Sequence, residues 1–274
     1  MFRAGAYYST LTDLLSFGSS ILSHKLLPPA KTHAWLKPWS ATSSRGVLVG
    51  APWEIYHPWN VTVDGRLLEL YTKSGGISTY RASLILIPDY DLSIAVLTAG
   101  PELGSGAIPA LTAVRALLPA IEKASRDQAQ AAYVGVYTDQ RTNSGLELSL
   151  DSAPGLKVSN WTIRGVNVAA NYARFNPSGS EAGPPPRVRL YPTKLDGGSK
   201  TAWRAVFDAP FDVAAAAQIE ALFPWPDPSC ATWTTVDTVV YGFEGVDLFV
   251  FEVGEDGKAT GLTLPAYEVT LRRE

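Results

Sequence analysis

Cysteine and an excess of either charge are scarce in this sequence of 274 residues. Cys230 stands alone, so the chain can form no internal disulfide and no cysteine-based zinc or iron–sulfur site. Lysine and arginine number 23 against 26 aspartate and glutamate, which leaves a net charge of -3. This balance creates no basic field for phosphate backbones or anionic lipids, so we expect neither nucleic acid nor a membrane as a partner.

Long hydrophobic runs and metal-binding histidine patterns are absent as well. No apolar run approaches the roughly 18 residues that span a bilayer, and the N-terminal residues lack the charged and apolar regions of a signal peptide. As written, the chain is expected to be cytoplasmic, although sequons at Asn60 and Asn160 favour a secreted protein. The 3 histidines follow neither H-x-x-x-H nor H-E-x-x-H spacing, so we predict no metal site and no cofactor.

Residues 1–130 predict an antiparallel sheet covered by helices. Thr10 and Asp13 resemble a capping box, and the apolar spacing that follows predicts a helix over about 10–23. Further elements are a strand over 66–72 that ends at Lys73, a hairpin of 84–87 and 92–97, and a helix from 107 to about 132 that Pro119 kinks or divides. Both hairpin strands are apolar on both sides, which indicates a sheet covered on both faces.

Residues 131–274 have a different pattern, with short β-like runs every 8–12 residues. This spacing predicts a barrel or a sandwich, with a short helix over 213–223 and a loop over 176–186. The predicted strands are 133–138, 146–151, 156–164, 166–175, 187–193, 201–208, 233–242, 246–253 and 259–271. The expected fold class is therefore α+β, with an antiparallel sheet and covering helices followed by an all-β, lipocalin-like barrel. Aromatic residues such as Trp161 and Trp203 fill the barrel interior or line a ligand mouth, and the first alternative is favoured.

A set of short motifs connects these segments to a known family. The motifs are Ser9–Gly18, Leu26–Ala30, Trp35–Pro38, Val49–Tyr56, Lys73–Gly75 and Leu86–Asp91, with Tyr133–Tyr137 and Pro154–Trp161 in the β-rich part. Together they resemble the later half of fungal serine β-lactamase-like proteins, which are relatives of penicillin-binding proteins and carboxyl esterases. The first 130 residues then correspond to a truncated domain of that family.

The resemblance implies acyl transfer, in which the serine of an S-x-x-K box attacks a carbonyl and a Y-x-N or S-x-N element assists proton transfer. Neither box occurs here, and only the third, K-[ST]-G, is present at Lys73-Ser74-Gly75. It implies that Lys73 and Ser74 bind a substrate carboxylate or carbonyl and that the Gly76 N–H is an oxyanion donor. His57 is added as an acid–base candidate because an ordinary imidazole titrates near neutrality.

The sequence therefore yields catalytic and binding candidates, and three functions stay open. The catalytic candidates are Lys73, Ser74 and His57, and the substrate-binding candidates are Gly75, Gly76, Tyr71, Tyr80, Trp53, Trp59 and Trp35. The first function is a non-acylating protein that binds, and cyclises or isomerises, a small hydrophobic molecule such as a fungal natural product. The second is the C-terminal part of a hydrolase or esterase that lacks its nucleophile segment, in which case the protein is secreted. The third is a non-catalytic binding or scaffold protein, and a homodimer would cover an exposed half-domain.

Overall fold

The computed structural model divides the chain into two units, Met1–Ser125 and Arg126–Glu274, here called unit 1 and unit 2. It describes residues 7–58, 61–100, 107–175, 185–208 and 236–274, together with Ala221 and Trp233. Within these stretches, no helix has both the length and the apolar character that a membrane crossing requires. Trp59, Cys230, the predicted helix over 213–223 apart from Ala221, and most of the predicted loop over 176–186 lie outside the described residues.

Unit 1 begins with two helices and continues as a sheet. The helices are α1 (Leu11–Leu22) and α2 (Pro29–Leu36), and the strands are β1 (Ser40–Ala41), β2 (Val47–Val49), β3 (Glu54–Tyr56), β4 (Leu70–Ile77), β5 (Tyr80–Ile87) and β6 (Leu92–Ala99). The predicted N-cap of α1 is confirmed, because the Thr10 side chain accepts a hydrogen bond from the Asp13 N–H. Helix α3 (Ala107–Tyr133) begins in unit 1 and ends in unit 2.

The sheet of unit 1 has 6 antiparallel strands in the order β1 to β6. Side chains alternate across it, as the period of a β-strand requires. Leu84 and Leu86 of β5 pack in one cluster with Ile21 of α1 and Leu36 of α2. The neighbouring positions Ile85 and Ile87 pack instead with Ala110, Val114 and Leu118 of α3. Helices therefore cover both faces, which explains why both hairpin strands are apolar on both sides.

Two predicted details of unit 1 need correction. The strand predicted over 66–72 begins later, at Leu70, and continues through the Lys73-Ser74-Gly75 box to Ile77 instead of ending at Lys73. The box is held in the hairpin because its residues pair with Ala82–Leu84 of β5. Helix α3 is continuous and Pro119 does not divide it. Pro119 is exposed, so water can hydrate the backbone carbonyl that loses its helical partner.

A charged cluster is buried beneath the loop before β4. Glu122 of α3 is only 4% exposed, yet its carboxylate accepts hydrogen bonds from the Val63 N–H at 2.8 Å and from the Tyr90 hydroxyl at 2.8 Å. The Arg66 guanidinium lies 3.8 Å from the same carboxylate and over the Tyr90 ring. Burial, followed by the hydrogen bond to Glu122, raises the pKa of Tyr90. This cluster fixes the loop to α3 because a buried carboxylate requires all of its partners.

Unit 2 is an antiparallel barrel. Its strands are β7 (Gly135–Asp139), β8 (Ser144–Ser149), β9 (Leu156–Ile163), β10 (Val166–Asn167), β11 (Arg187–Gly197), β12 (Lys200–Asp208), β13 (Val240–Tyr241), β14 (Glu244–Gly245), β15 (Leu248–Val253), β16 (Ala259–Leu264) and β17 (Val269–Arg273), with a short helix α4 (Tyr172–Phe175) after β10. The order β9-β11-β12-β15-β16-β17-β7-β8 closes because β8 pairs with β9. The predicted α+β fold with a barrel-like second part is confirmed.

Aromatic side chains fill the barrel interior. Tyr137, Phe249 and Phe251 are fully buried, and Trp161 packs against Phe249 with ring centroids 5.2 Å apart. In the described part of unit 2, the favoured core interpretation of Trp161 and Trp203 therefore agrees with their position in the main cluster. Strands from different parts of the ring, β7, β9 and β15, supply these side chains, so their burial depends on the closure of the sheet.

Three predicted strands of unit 2 are wrong in part. Among the described residues of the run 233–242, only Val240–Tyr241 is a strand. The run 166–175 is a strand only at Val166–Asn167 and then becomes helical. The run 259–271 is two strands, because Pro265–Tyr267 forms a 3-10 turn and Glu268 adopts a left-handed conformation.

The first and last strands of the barrel, β7 and β17, are neighbours. Beside them, the Arg273 guanidinium donates hydrogen bonds to the carbonyl oxygens of Ala131, Ala132 and Val134.

Candidate functional site

The Lys73-Ser74 box is held by a carboxylate from the neighbouring strand. Lys73 Nζ lies 2.5 Å from Glu54 Oε1, and the Ser74 hydroxyl donates to the same oxygen at 2.9 Å. The Ser74 N–H donates to Glu54 Oε2 at 3.3 Å. Three donors of different kinds therefore converge on one carboxylate, which fixes both side chains of the box.

The pairing of β3 with β4 explains this arrangement. Glu54 is opposite Thr72 in the ladder, and the Thr72 hydroxyl donates to the Glu54 carbonyl oxygen at 2.7 Å. The described pairing between β3 and β4 ends at Thr72, so the following residues of β4 have β5 as their ladder partner. Because N–H groups two residues apart point to the same edge of a strand, the N–H of Gly76 points to the same side as that of Ser74. This direction agrees with the oxyanion-donor role that the family resemblance implies.

A cleft of about 310 Å³ lies beside the box on the face of the sheet that α3 covers. Its lining residues are Glu54, Tyr56, Thr72, Ser74, Gly75, Gly76, Arg81, Ala82, Ser83, Ile85, Ala110 and Leu111. Glu54 and Arg81 are the charged members of this lining and have opposite sign. The Arg81 guanidinium donates to the carbonyl oxygens of Ser78 at 2.6 Å and Tyr80 at 2.8 Å. The cleft thus combines polar groups at one end with an apolar wall, as small-molecule sites do.

His57 belongs to a separate polar group. Its Nε2 lies 2.9 Å from Glu69 Oε1, and the Tyr71 hydroxyl donates to Glu69 Oε2 at 2.5 Å. Burial, followed by the hydrogen bond to Glu69, raises the pKa of Tyr71, so its hydroxyl stays protonated at neutral pH. The structure therefore joins His57 and Tyr71 through Glu69, whereas neither residue lines the cleft. An acid–base role for His57 stays a prediction.

The aromatic binding candidates are not gathered around the cleft. Trp53 is 2% exposed, and its ring centroid lies 5.0 Å from that of Trp35 and 6.5 Å from that of Tyr71. These three residues pack in the cluster beneath α1 and α2. Tyr80 is 62% exposed and pairs with Ile77 at the end of the hairpin. Of the substrate-binding candidates, Gly75 and Gly76 line the cleft, and Trp59 lies outside the described residues.

A second cleft, of about 490 Å³, lies in unit 2. Its rim includes Arg189, which contacts Asp151 with its Nη2 at 2.5 Å from Oδ2. The hydrogen bond from Arg189 holds the pKa of Asp151 below its ordinary value. Ser152, Lys157 and Ser159 also line this cleft. They are not part of the K-[ST]-G box to which the family resemblance assigns acyl chemistry, so the first cleft is the better candidate.

Sequence reasoning missed Glu54, Glu69 and Arg81. Glu54 lies within the Val49–Tyr56 motif, but only the register of β3 against β4 shows that it reaches Ser74. The same pairing places Glu69 next to His57. Within the residues that the structure describes, no three His, Cys, Asp or Glu side chains are arranged to hold a metal ion. The polar groups of the site are an ammonium, a hydroxyl, a carboxylate and backbone N–H groups.

Residues 125–274 match a protein-family model described as "Beta-lactamase-like-like, C-terminal domain". The match includes all of unit 2 and covers more than half of the chain.

Three fungal proteins are similar over nearly the full chain. A "Beta-lactamase-like protein" of Arthroderma benhamiae is 30% identical over 95% of this chain and 47% of its own length. "Probable hydrolase clz13" of Cochliobolus lunatus is 24% identical over 97% of the chain and 43% of its own length. "Probable hydrolase M10" of a Phoma species is 22% identical over 96% of the chain and 44% of its own length. The chain therefore spans less than half the length of these relatives.

Proposed function

Because the chain belongs to the β-lactamase-like family that carries this C-terminal domain, we propose that it supplies the Lys73–Ser74 half of an acyl-transfer site. It acts as a hydrolase of small acyl compounds when the S-x-x-K and Y-x-N boxes come from a segment outside this sequence. Two relatives are named probable hydrolases, which supports hydrolysis as the class of reaction.

The geometry of the box carries the proposal. Ser74 and Gly76 line a cleft large enough for a small acyl group, and Glu54, which also lines it, holds both Lys73 and Ser74. In this scheme the supplied serine attacks the acyl carbonyl, and the alcohol or amine leaves with the serine proton. Water then hydrolyses the acyl-enzyme. Lys73, Ser74 and the Gly76 N–H bind the oxygen atoms of the substrate and do not form the covalent bond.

Exposed apolar side chains on α1 give the proposal further support. Leu11, Leu15 and Phe17 are 47%, 41% and 44% exposed, whereas Gly18 and Ile21 of the same helix are buried. Exposed apolar side chains that lie close together are typical of a surface that another segment or chain covers. Since the relatives are about twice as long as the matched region, we propose that the family's preceding segment covers this face.

Reconstitution tests this function. The chain alone, and the chain fused behind the unmatched half of the Arthroderma relative, are treated with a fluorophosphonate and measured by intact mass. The fusion is expected to form one adduct on the supplied serine and to hydrolyse a 4-nitrophenyl ester, whereas the chain alone forms none.

Variants of the fusion identify the contribution of this chain. Lys73→Ala is expected to lower kcat/KM for the ester by about a hundredfold, because one charged donor to the reacting oxygen is lost. Lys258→Ala is the matched control, since Lys258 also has an acidic partner, Asp256, but belongs to unit 2. A folded fusion without an adduct, or an adduct on the chain alone, would contradict the proposal.

A second candidate function is binding of a small hydrophobic molecule without acylation, with cyclisation or isomerisation in the cleft. The apolar wall of Tyr56, Ile85 and Leu111 favours this alternative. Ligand-induced thermal stabilisation of the chain alone, combined with an unreactive fusion, would select it. Binding to the chain alone together with a reactive fusion would leave the hydrolase as the better description.

A second copy of the chain is the alternative occupant of the exposed face of α1. Light scattering would show such a dimer.

A further inference from the structure

The carboxylate of Glu54 occupies the place that an anionic ligand would take at the box. It receives hydrogen bonds or ion-pair contacts from the Lys73 ammonium, the Ser74 hydroxyl and the Ser74 N–H. The contacts within the protein therefore use all three donors. A carboxylate brought by a substrate would have to displace Glu54 and remain beside it, and two carboxylates at such a distance repel each other.

The rest of the cleft does not compensate for this repulsion. Arg81 is the cation among the described lining residues, and its Nη1 is held by the carbonyl oxygens of Ser78 and Tyr80. The Lys73 ammonium beside the cleft is paired with Glu54, so both cations near the box already have oxygen partners within the protein. The remaining surface contains hydroxyl, backbone and apolar groups, with Tyr56, Ile85 and Leu111 as its larger apolar members. Such a surface binds an uncharged molecule that has an apolar body and one polar acceptor.

We propose that Glu54 is a specificity-determining residue, which makes the cleft bind uncharged esters in preference to carboxylates. This inference rests on the proposed function only for the role of the cleft as an acyl site. The preference for uncharged esters over carboxylates is a property of this chain alone and does not require acylation. An ester presents a carbonyl oxygen to the oxyanion donors without adding a negative charge beside Glu54. The expected substrates are therefore neutral acyl compounds with an apolar acyl group.

A matched pair of probes tests the preference without requiring turnover. Phenylacetate and methyl phenylacetate differ in charge and share the same aromatic group, and ligand-observed NMR measures their Kd for the chain. The unaltered chain is expected to bind the methyl ester at least about tenfold more tightly than the acid. Equal binding, tighter binding of the acid, or no binding of either probe would overturn the inference.

Substitution of Glu54 then locates the cause. In Glu54→Gln the carboxylate is replaced by a neutral amide of the same shape, so phenylacetate is expected to bind about tenfold more tightly while the ester changes little. Asp256→Asn is the control, because it removes the same charge from an exposed carboxylate beside Lys258 in unit 2. An unchanged preference in Glu54→Gln would overturn the role of this residue. If the substitution prevents folding, the preference in the unaltered chain still tests the charge selection.

The two proposals can fail separately. If the fusion forms no adduct while the chain prefers the ester, the hydrolase proposal fails and the charge preference of the cleft stands. If the fusion is acylated while the chain binds acid and ester equally, the hydrolase proposal stands and the role of Glu54 is rejected.

Discussion

The eight strands of the barrel in unit 2 form a closed ring through the pairing of β8 with β9, whereas β1 and β6 bound the sheet of unit 1 on two sides. In the barrel, apolar side chains point into a shared interior that holds Tyr137, Phe249 and Phe251. In unit 1, the sheet depends on helices for cover, and α1 retains Leu11 and Leu15 at the surface. Closure of the barrel lets its own strands enclose the core of unit 2, whereas the open sheet of unit 1 needs helices to cover its faces.

This difference bears on where the candidate site lies. Packed aromatic rings occupy interior positions of the barrel, so the described interior serves to stabilise the fold. The open sheet has a strand, β4, that extends beyond its pairing with β3 and presents Ser74 and Gly76 at an edge. Such an edge exposes backbone donors, which a closed ladder would use internally. The polar site is consequently in the unit whose sheet is incomplete.

The largest effect is expected from removing an aromatic ring from the barrel. Phe249→Ala deletes a side chain with 0% exposure that packs on Trp161. The free energy of unfolding of unit 2 should fall by about 3–5 kcal/mol, because the cavity cannot be filled by a closed ring of strands. Hydrogen exchange measured by mass spectrometry would assign the loss to peptides of unit 2.

Leu195→Ala is the control for that substitution, since Leu195 is 69% exposed on β11. Its effect should stay within about 0.5 kcal/mol. Equal losses in the two variants would mean that the barrel interior is not the source of stability, and the contrast between the units would be lost.

An intermediate effect is expected from the buried carboxylate of unit 1. Glu122→Gln replaces an acceptor-only group by an amide, which cannot accept from both the Val63 N–H and the Tyr90 hydroxyl in the same way. The free energy of unfolding of unit 1 should fall by about 1–3 kcal/mol. Exchange protection of residues 61–70 should decrease while peptides of the barrel keep theirs. Unchanged protection would show that helix cover alone holds this loop.

The smallest effect on stability is expected at the exposed face of α1. Leu15→Lys changes a side chain that is 41% exposed, so the free energy of unfolding should shift by no more than about 0.5 kcal/mol. Self-association at high concentration should decrease, because an apolar contact is replaced by a charge. Analytical ultracentrifugation measures this change. A large loss of stability without any change in association would indicate that this face is already covered within the chain.

Helices and hairpins could be predicted because their signals are local. Thr10 and Asp13 mark the start of α1, and apolar runs on both sides of Pro88–Tyr90 define the hairpin of β5 and β6. The ends of strands were predicted less accurately. The strand predicted over 66–72 stops before Lys73-Ser74-Gly75, whereas β4 continues through this box by pairing with β5. Two glycines after a polar residue resemble a turn, and only the tertiary ladder shows that the backbone stays extended.

The candidate site could be predicted only in its contiguous part. Lys73, Ser74 and Gly76 are recognisable as a box, because they are neighbours in the sequence. Glu54 is 20 residues before Ser74 and reaches it through the register of two strands. Tertiary structure also decides the role of the aromatic candidates Trp35 and Trp53, since the rings of a tryptophan-rich segment can pack in a core or face a ligand. Here the rings pack against each other beneath the helices.

Arg273 and strand β17 have a consequence for the synthesis of the protein. The last barrel strand pairs with β7, and Arg273 binds carbonyl oxygens at residues 131–134, about 140 positions earlier in the chain. A ribosome makes β7 long before it makes β17, so the barrel cannot close while the nascent chain is still attached at intermediate lengths. A premature stop codon shortly before Val269 would leave one edge of β16 and one edge of β7 without a partner strand. Cells should therefore clear such a truncated product, although it retains nearly all of the sequence.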